Sequence, residues 1–291
     1  MRGAQGAPRM QGAITQRNAL LGDGQGAGPA RVDRSVQDRR KSGRGIRYFV
    51  HMESMPKGVE GNAAPSPAGG LVIDPDRDAL LVIDLQPDFM PGGALAVADG
   101  DQIVAPIAAL LRRRAFATVV ASQDWHPPRH ISFASEHGQP PFTSVALHAV
   151  EQTLWPDHCV QGSAGAALHA DLPLDAVTLI LRKGSYIDAD SYSAFRENVG
   201  ADGKRRTTGL AALLRARGVT RLLLCGLARD FCVAWTAIDG ADEGFSVVVL
   251  DDLCRAVFPD RAAQTDAAFA QAGVRHVESD QLCFPALQER P

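Results

Sequence analysis

From about residue 78 onward, short apolar runs rich in β-branched residues alternate with stretches of helical spacing. ALLVIDL (79–85), FATVVASQD (116–124), VTLILRKG (177–184), TRLLLCGL (220–227) and SVVVLDD (246–252) predict five strands whose apolar positions run continuously. Such strands are buried on both faces. Between and after them, IVAPIAALLRRRA (103–115), TGLAALLRARG (208–218), DFCVAWTAIDGADEGF (230–245) and RAAQTDAAFAQAG (261–273) predict helices. The alternation predicts one α/β domain over 78–291, a three-layer α/β/α unit around a mostly parallel central sheet. Segment 125–176 has little periodicity and holds several Pro, His and Phe residues. A loop that long inside a compact domain is usually functional.

Residues 1–77 read differently. The first 47 are rich in Gly, Ala, Arg and Gln and contain no aromatic residue, and PKGVEGNAAPSPAGG (56–70) has linker composition. This stretch is expected to be a disordered extension and linker, or translated upstream sequence with Met52 or Met55 as the start. An organelle transit peptide would be Arg-rich and poor in acids. Asp23, Asp33, Asp38 and the scarcity of Ser count against it. No secretory apolar segment is present.

The 291 residues are 45% hydrophobic and 22% charged, enough to bury a core and too apolar for wholesale disorder. No run approaches the ~18 apolar residues of a membrane helix. Residues 1–47 carry net +7, so the remainder carries −10 against a whole-chain charge of −3. An acidic body is a poor nucleic-acid binder, because neutralising phosphates needs clustered Lys and Arg. The five cysteines lack CxxC spacing. They suit a reduced, cytoplasmic setting better than a disulfide framework.

In open α/β sheets, ligands bind beyond the carboxyl ends of the strands. There the sequence delivers Asp84, then QDWHPPRH with Asp124, His126 and His130, then Arg182-Lys183-Gly184, then CGLARDFC with Cys232. Cys232 falls in the first turn of a predicted helix, where the helix dipole favours a thiolate and unpaired N–H groups can stabilise an oxyanion. Cys225, Cys254 and Cys283 read as small hydrophobes. A thiol nucleophile needs a proton acceptor. No His lies at a strand end beside Cys232, which leaves Asp84 and Lys183 as the available groups. Asp124-x-His126 is a compact chelate, with His130 and His158 further along the irregular segment, and such donors suit Zn, Mn or Fe. Phe89, Trp125, Trp155 and Tyr192 fall in the same loops and would wall a flat aromatic substrate.

Five stretches resemble the nicotinamidase/pyrazinamidase family of isochorismatase-like cysteine hydrolases. They are LLVIDLQPDFMPGGALAV (80–97), ASQDWHPPRHISFAS (121–135), LWPDHCVQGSAGAAL (154–168), RKGSYIDADSYSAF (182–195) and LCGLARDFCVAWTAIDGADEGF (224–245). The resemblance covers residues 78–285. It implies Asp84, Lys183 and Cys232 as a catalytic set, and a cis peptide at Leu227–Ala228. It implies an oxyanion hole of the Ala228 and Cys232 N–H groups. It implies one divalent metal ion on Asp124, His126 and His158, with His130 a ligand in only some members. It implies substrate walls from Phe89, Trp155 and Tyr192. The implied activity is hydrolysis of nicotinamide to nicotinic acid and ammonia through a cysteine thioester, in NAD salvage, with pyrazinamide as a further substrate. A homo-oligomer is an admissible assembly, and neither nucleic acid nor membrane is an expected partner. Two alternatives stand beside it: another small-amide or ureido hydrolase of the same superfamily, and a non-catalytic binding protein using the basic N-terminal arm. Gly240 stands where relatives carry Ala, at a cost of about 1 kcal/mol within a helix and with no expected loss of function.

Overall fold

The computed structural model describes residues 70–285. Of the extension and linker expected over residues 1–77, residues 1–69 therefore lie outside the described residues.

Strand formation follows the apolar runs. The strands are β1 (Leu71–Val72), β2 (Asp78–Ile83), β3 (Thr118–Asp124), β4 (Ser144–Leu147), β5 (Val150–Thr153), β6 (Leu179–Lys183), β7 (Arg196–Val199), β8 (Arg205–Thr207), β9 (Arg221–Leu227), β10 (Ser246–Arg255), β11 (Arg275–Val277) and β12 (Leu282–Cys283). The helices are α1 (Val104–Arg112), the single turn α2 (Ala134–His137), α3 (Leu210–Ala216), α4 (Ala234–Asp242) and α5 (Ala262–Ala272). None is long and apolar enough to cross a membrane.

The main sheet has the order β11-β10-β9-β2-β3-β6, and every pairing in it is parallel. Successive residues of one strand serve opposite faces. Leu80 and Val82 join α1 residues Val104, Ile107 and Leu111 in one apolar cluster. Leu81 and Ile83 join Leu214 of α3, Ala237 of α4 and Phe269 of α5 in the other. The expected three-layer α/β/α domain is thus the observed one.

The chain starts mid-sheet at β2, builds outward through β3 to β6, then returns to the other side of β2 with β9. The direction reverses between β2 and β9, and that reversal opens a crevice at their carboxyl ends. Ile83 and Gly226 are register partners there. A Cβ on Gly226 would sit 2.1 Å from the Ile83 carbonyl oxygen, and its φ is +116°, so only glycine lets the two strands meet this closely.

Three boundaries depart from the sequence reading. Residues 71–77, expected to be linker, are part of the fold. Leu71 pairs in parallel with Leu282, Ile73 is 1% exposed, and the Asp78 carboxylate accepts the Asp74 N–H. A two-residue strand gives too short a pattern to read. The expected helix over 230–245 divides into a wide turn at Arg229–Val233 followed by α4, because the Ala228 carbonyl accepts both the Phe231 and Val233 N–H groups. Wide turns of this kind are frequent at functional sites. Within the irregular segment, Ser144–Thr153 forms the β4–β5 hairpin.

Candidate active site

Four neighbouring strands place their carboxyl ends on one rim, and each contributes one group. Asp84 follows β2, Asp124 ends β3, Lys183 ends β6, and the turn after β9 carries Cys232. All four are buried.

Lys183 is the hub. Its Nζ lies 2.8 Å from Asp84 Oδ2 and 3.0 Å from Asp124 Oδ1. It also donates to the Ser191 carbonyl at 2.9 Å and lies 3.5 Å from Cys232 Sγ. The other Asp84 oxygen accepts the Ser122 hydroxyl at 2.7 Å. Burial works against the Lys183 charge, but Asp124 and Asp84 outweigh it and hold the ammonium well above its ordinary range. Burial raises the Asp84 carboxyl although Lys183 pulls it down. Burial also raises the Cys232 thiol well above its usual value, with Lys183 opposing and Asp84 assisting. The geometry sets the Cys232 thiol beside a lysine-held carboxylate, an arrangement in which the carboxylate can take the thiol proton as the sulfur attacks.

The second half of the site is an acceptor cluster. Asp124 Oδ2 lies 3.0 Å from His126 Nε2 and 3.5 Å from His158 Nε2. The Nδ1 atoms face backbone carbonyls, His126 at Gly184 O (2.9 Å) and His158 at Pro156 O (2.8 Å). Donation from Nδ1 leaves each Nε2 lone pair aimed at the carboxylate. Three buried acceptors this close need a proton or a cation between them, and backbone-anchored imidazoles beside a carboxylate are how metal-binding histidines are held. The donor set fits a divalent ion of the Zn, Mn or Fe class. His130 stands apart from these three. It stacks on His126 at 4.2 Å and uses its nitrogens on Ser132 Oγ (2.8 Å) and Ala189 O (3.1 Å). Burial, with His126 against it, pushes its imidazole down to about 4. His126, His130 and Asp190 form a second group with converging ligand atoms.

A small cavity opens above both halves. Phe89, Trp155 and Tyr192 line it beside Asp124, His158, Ala228 and Cys232. Phe89 meets His158 edge-on at 5.6 Å, and Trp155 meets Tyr192 edge-on at 6.2 Å. Trp125 lies elsewhere, under the Arg182 guanidinium at 4.0 Å. The Leu227–Ala228 peptide is cis.

Sequence reasoning missed several groups. Phe231 and Asp190 also line the cavity. Gln152 of β5 donates to Asp190 Oδ2 (2.6 Å) and to the Tyr192 hydroxyl (3.1 Å). Gln86 accepts the Asp124 N–H at 2.7 Å and donates to the Asp124 carbonyl at 2.9 Å, bracing that residue from both sides. Asp230 accepts the Val257 and Phe258 N–H groups (2.9 and 2.8 Å), which brings Val257 to the cavity wall. Gln86 lies in LQPDF beside Asp84, so proximity in sequence could have flagged it. Gln152 carried no such signal.

Residues 78–281 match the isochorismatase domain family. The nicotinamidase of Acinetobacter baylyi is 49% identical over 180 residues, spanning 62% of this chain and 81% of that protein. Among solved structures, the L. infantum protein in complex with nicotinate is 41% identical with a TM-score of 0.65, covering 74% of this chain and 98% of that one. The Pyrococcus horikoshii pyrazinamidase in complex with zinc is 37% identical with a TM-score of 0.56, covering 69% and 99%.

Proposed function

The chain belongs to the isochorismatase family, and we propose that it is a nicotinamidase, an amidohydrolase that converts nicotinamide to nicotinic acid and ammonia. One observation carries the reading: a buried ammonium and carboxylate meet behind the Cys232 thiol, which lines an aromatic-walled cavity flanked by a two-histidine, one-carboxylate cluster.

Asp84 accepts the Cys232 proton while the sulfur attacks the carboxamide carbon. The developing oxyanion is received by the backbone N–H groups of Ala228 and Cys232. Asp84 returns the proton to the departing ammonia. The same carboxylate then draws a proton from water, which opens the thioester and frees the acid and the thiol. Lys183 keeps the carboxylate and sulfur at working distance throughout. Phe89 and Trp155 hold the ring, and Tyr192 sets the far wall.

Asp124, His126 and His158 would hold the metal ion. When bound, it would supply a fixed positive site for the pyridine nitrogen and so orient the ring. Zinc is the favoured ion, given the zinc-bound relative. Unpaired cysteines fit a reducing cytoplasm, where the product would enter NAD salvage. Pyrazinamide, a ring-nitrogen isostere, is expected to be turned over as well.

The test compares ammonia release from nicotinamide by the purified protein, by Cys232→Ala, and by chelator-stripped protein before and after zinc is returned. Release that disappears in Cys232→Ala and returns with zinc is the expected result. No release from metal-replete wild-type protein would overturn the assignment, and other small amides would then be the substrates to screen.

A further inference from the structure

Glu197 is a buried carboxylate with no part in the steps above. It lies in β7, 4% exposed. Burial raises its carboxyl, and Ser191, Lys183 and Gly184 pull it back down. Its Oε2 accepts the Gly184 N–H at 3.3 Å. That hydrogen bond falls at the seam between the two halves of the site. The Lys183–Gly184 peptide offers its carbonyl to the Trp125 N–H (2.9 Å) and its N–H to Glu197. One residue further, the Gly184 carbonyl receives His126 Nδ1 (2.9 Å).

Space there is tight. A Cβ on Gly184 would lie 2.5 Å from His126 Cε1 and 3.1 Å from Asp124 Oδ1. A small displacement of this peptide therefore reaches the imidazole directly. Glu197 is itself anchored. Arg205 donates to the Glu197 carbonyl (3.0 Å), and its guanidinium grips both oxygens of Asp239 in α4 (2.8 and 2.7 Å). The brace thus runs from α4, which follows the Cys232 turn, through β7 to Gly184.

We propose that Glu197 is a positioning residue whose carboxylate, acting from beneath the site, holds the Lys183–Gly184 peptide and so orients both the Lys183 ammonium and the His126 imidazole. The kinetic readout of this inference rests on the nicotinamidase reading, whereas its metal readout does not. Outer partners of metal ligands typically change metal affinity or activity 10–100-fold when removed.

The experiment uses the full chain with Glu197→Met, Glu197→Gln and Glu197→Asp. It measures the Zn2+ dissociation constant by competition with a chromophoric chelator, kcat and KM for nicotinamide, and thermal unfolding. Glu197→Met fills the space but lacks the acceptor, so Zn2+ affinity and kcat should each fall by about tenfold or more. Glu197→Gln keeps an acceptor for the Gly184 N–H and should stay within about threefold of wild type, a rescue that a purely space-filling role would not require. Glu197→Asp shortens the reach and should fall between the two, which keeps the test decisive if Glu197→Met does not fold. Wild-type Zn2+ affinity in Glu197→Met or Glu197→Asp, or equal damage in Glu197→Gln and Glu197→Met, would overturn the proposal. If wild-type protein releases no ammonia, the nicotinamidase reading fails, and the Zn2+ affinities alone decide the role of Glu197.

Discussion

Asp124 and Lys183 are register partners across β3 and β6, and their side chains meet at 3.0 Å. This contact joins two chemistries. One oxygen of Asp124 belongs to the ion set around the thiol, and the other faces His126 and His158. A disturbance on either side must therefore reach the other.

Removing the hub cation should be severe. Lys183→Met leaves Asp84 and Asp124 buried without their shared partner. Breaking one side of a buried ion set costs about 3–5 kcal/mol. A chemical denaturation curve should show a loss of that size, together with abolished ammonia release. A curve that overlays wild type would mean the two carboxylates had protonated at no cost.

Tyr192→Phe should damage the cavity wall in a graded way. The Trp155 indole N–H and the Gln152 amide both donate to the Tyr192 hydroxyl at 3.1 Å. The Trp155 indole N–H then loses its acceptor, at a cost of about 1–3 kcal/mol, whereas the Gln152 amide keeps Asp190 and the Thr153 carbonyl. The expected signature is a higher KM for nicotinamide with a smaller change in kcat, because the wall moves while the thiol does not. An unchanged KM would remove Tyr192 from the substrate pocket.

One surface contact should carry a readable pH signature. Hydrogen bonds from Arg215 and Arg196 to Glu243 (2.7 and 2.5 Å) lower its carboxyl below the usual value of 4.5. A depressed carboxylate stabilises the fold above its unfolded value and loses that contribution as pH falls through the folded one. Solvent exposure keeps the effect to about 1 kcal/mol or less. Glu243→Gln should therefore unfold at a slightly lower temperature than wild type at pH 7. The gap should close as the pH drops below about 4.5. A gap that persists at acid pH would assign the difference to something other than charge.

Gly240→Ala should not stabilise, despite the helix propensity it adds. A Cβ there would meet Leu222 Cδ1 at 3.0 Å and Phe195 Cε2 at 3.2 Å, so a methyl group enters only if these packed side chains give way by a few tenths of an ångström. Overpacking of about 1–3 kcal/mol outweighs a propensity gain of about 1 kcal/mol. Thermal unfolding should shift downward by a few degrees, with kcat unchanged. An upward shift would show that Leu222 and Phe195 yield without strain.

How legible the site was depends on how each residue is delivered. Asp84, Asp124, Lys183 and Cys232 sit where apolar strands stop, and a strand end shows in the sequence because its last polar residue follows a continuous apolar run. His158 has no such marker and enters from the irregular segment, yet WPDHCV sets it off by composition. Gln152 and Glu197 are different. Each lies in a polar stretch that reads as solvated surface, and each is buried only because a short hairpin folds over the strand ends. The apolar pattern cannot report a hydrogen bond made across 38 residues, as between Gln152 and Asp190. The wide turn after Ala228 carries the pattern of plain helix for a related reason. Its shape is set by which N–H groups reach one carbonyl, and no side-chain periodicity encodes that.

The reversal of strand order between β2 and β9 also bears on how the enzyme comes into being. Asp84, Asp124, Lys183 and Cys232 come from the ends of four strands joined by three crossovers of a parallel sheet, and their contacts join segments 49 and 59 residues apart. Such non-local pairings close late, after the entropy of long loops has been overcome. No fragment or half-zipped sheet can assemble the set, so turnover reports the finished molecule. In refolding from denaturant, ammonia release should reappear only after the helices have regained their circular dichroism, and the interval between the two times the closing of the last parallel strand.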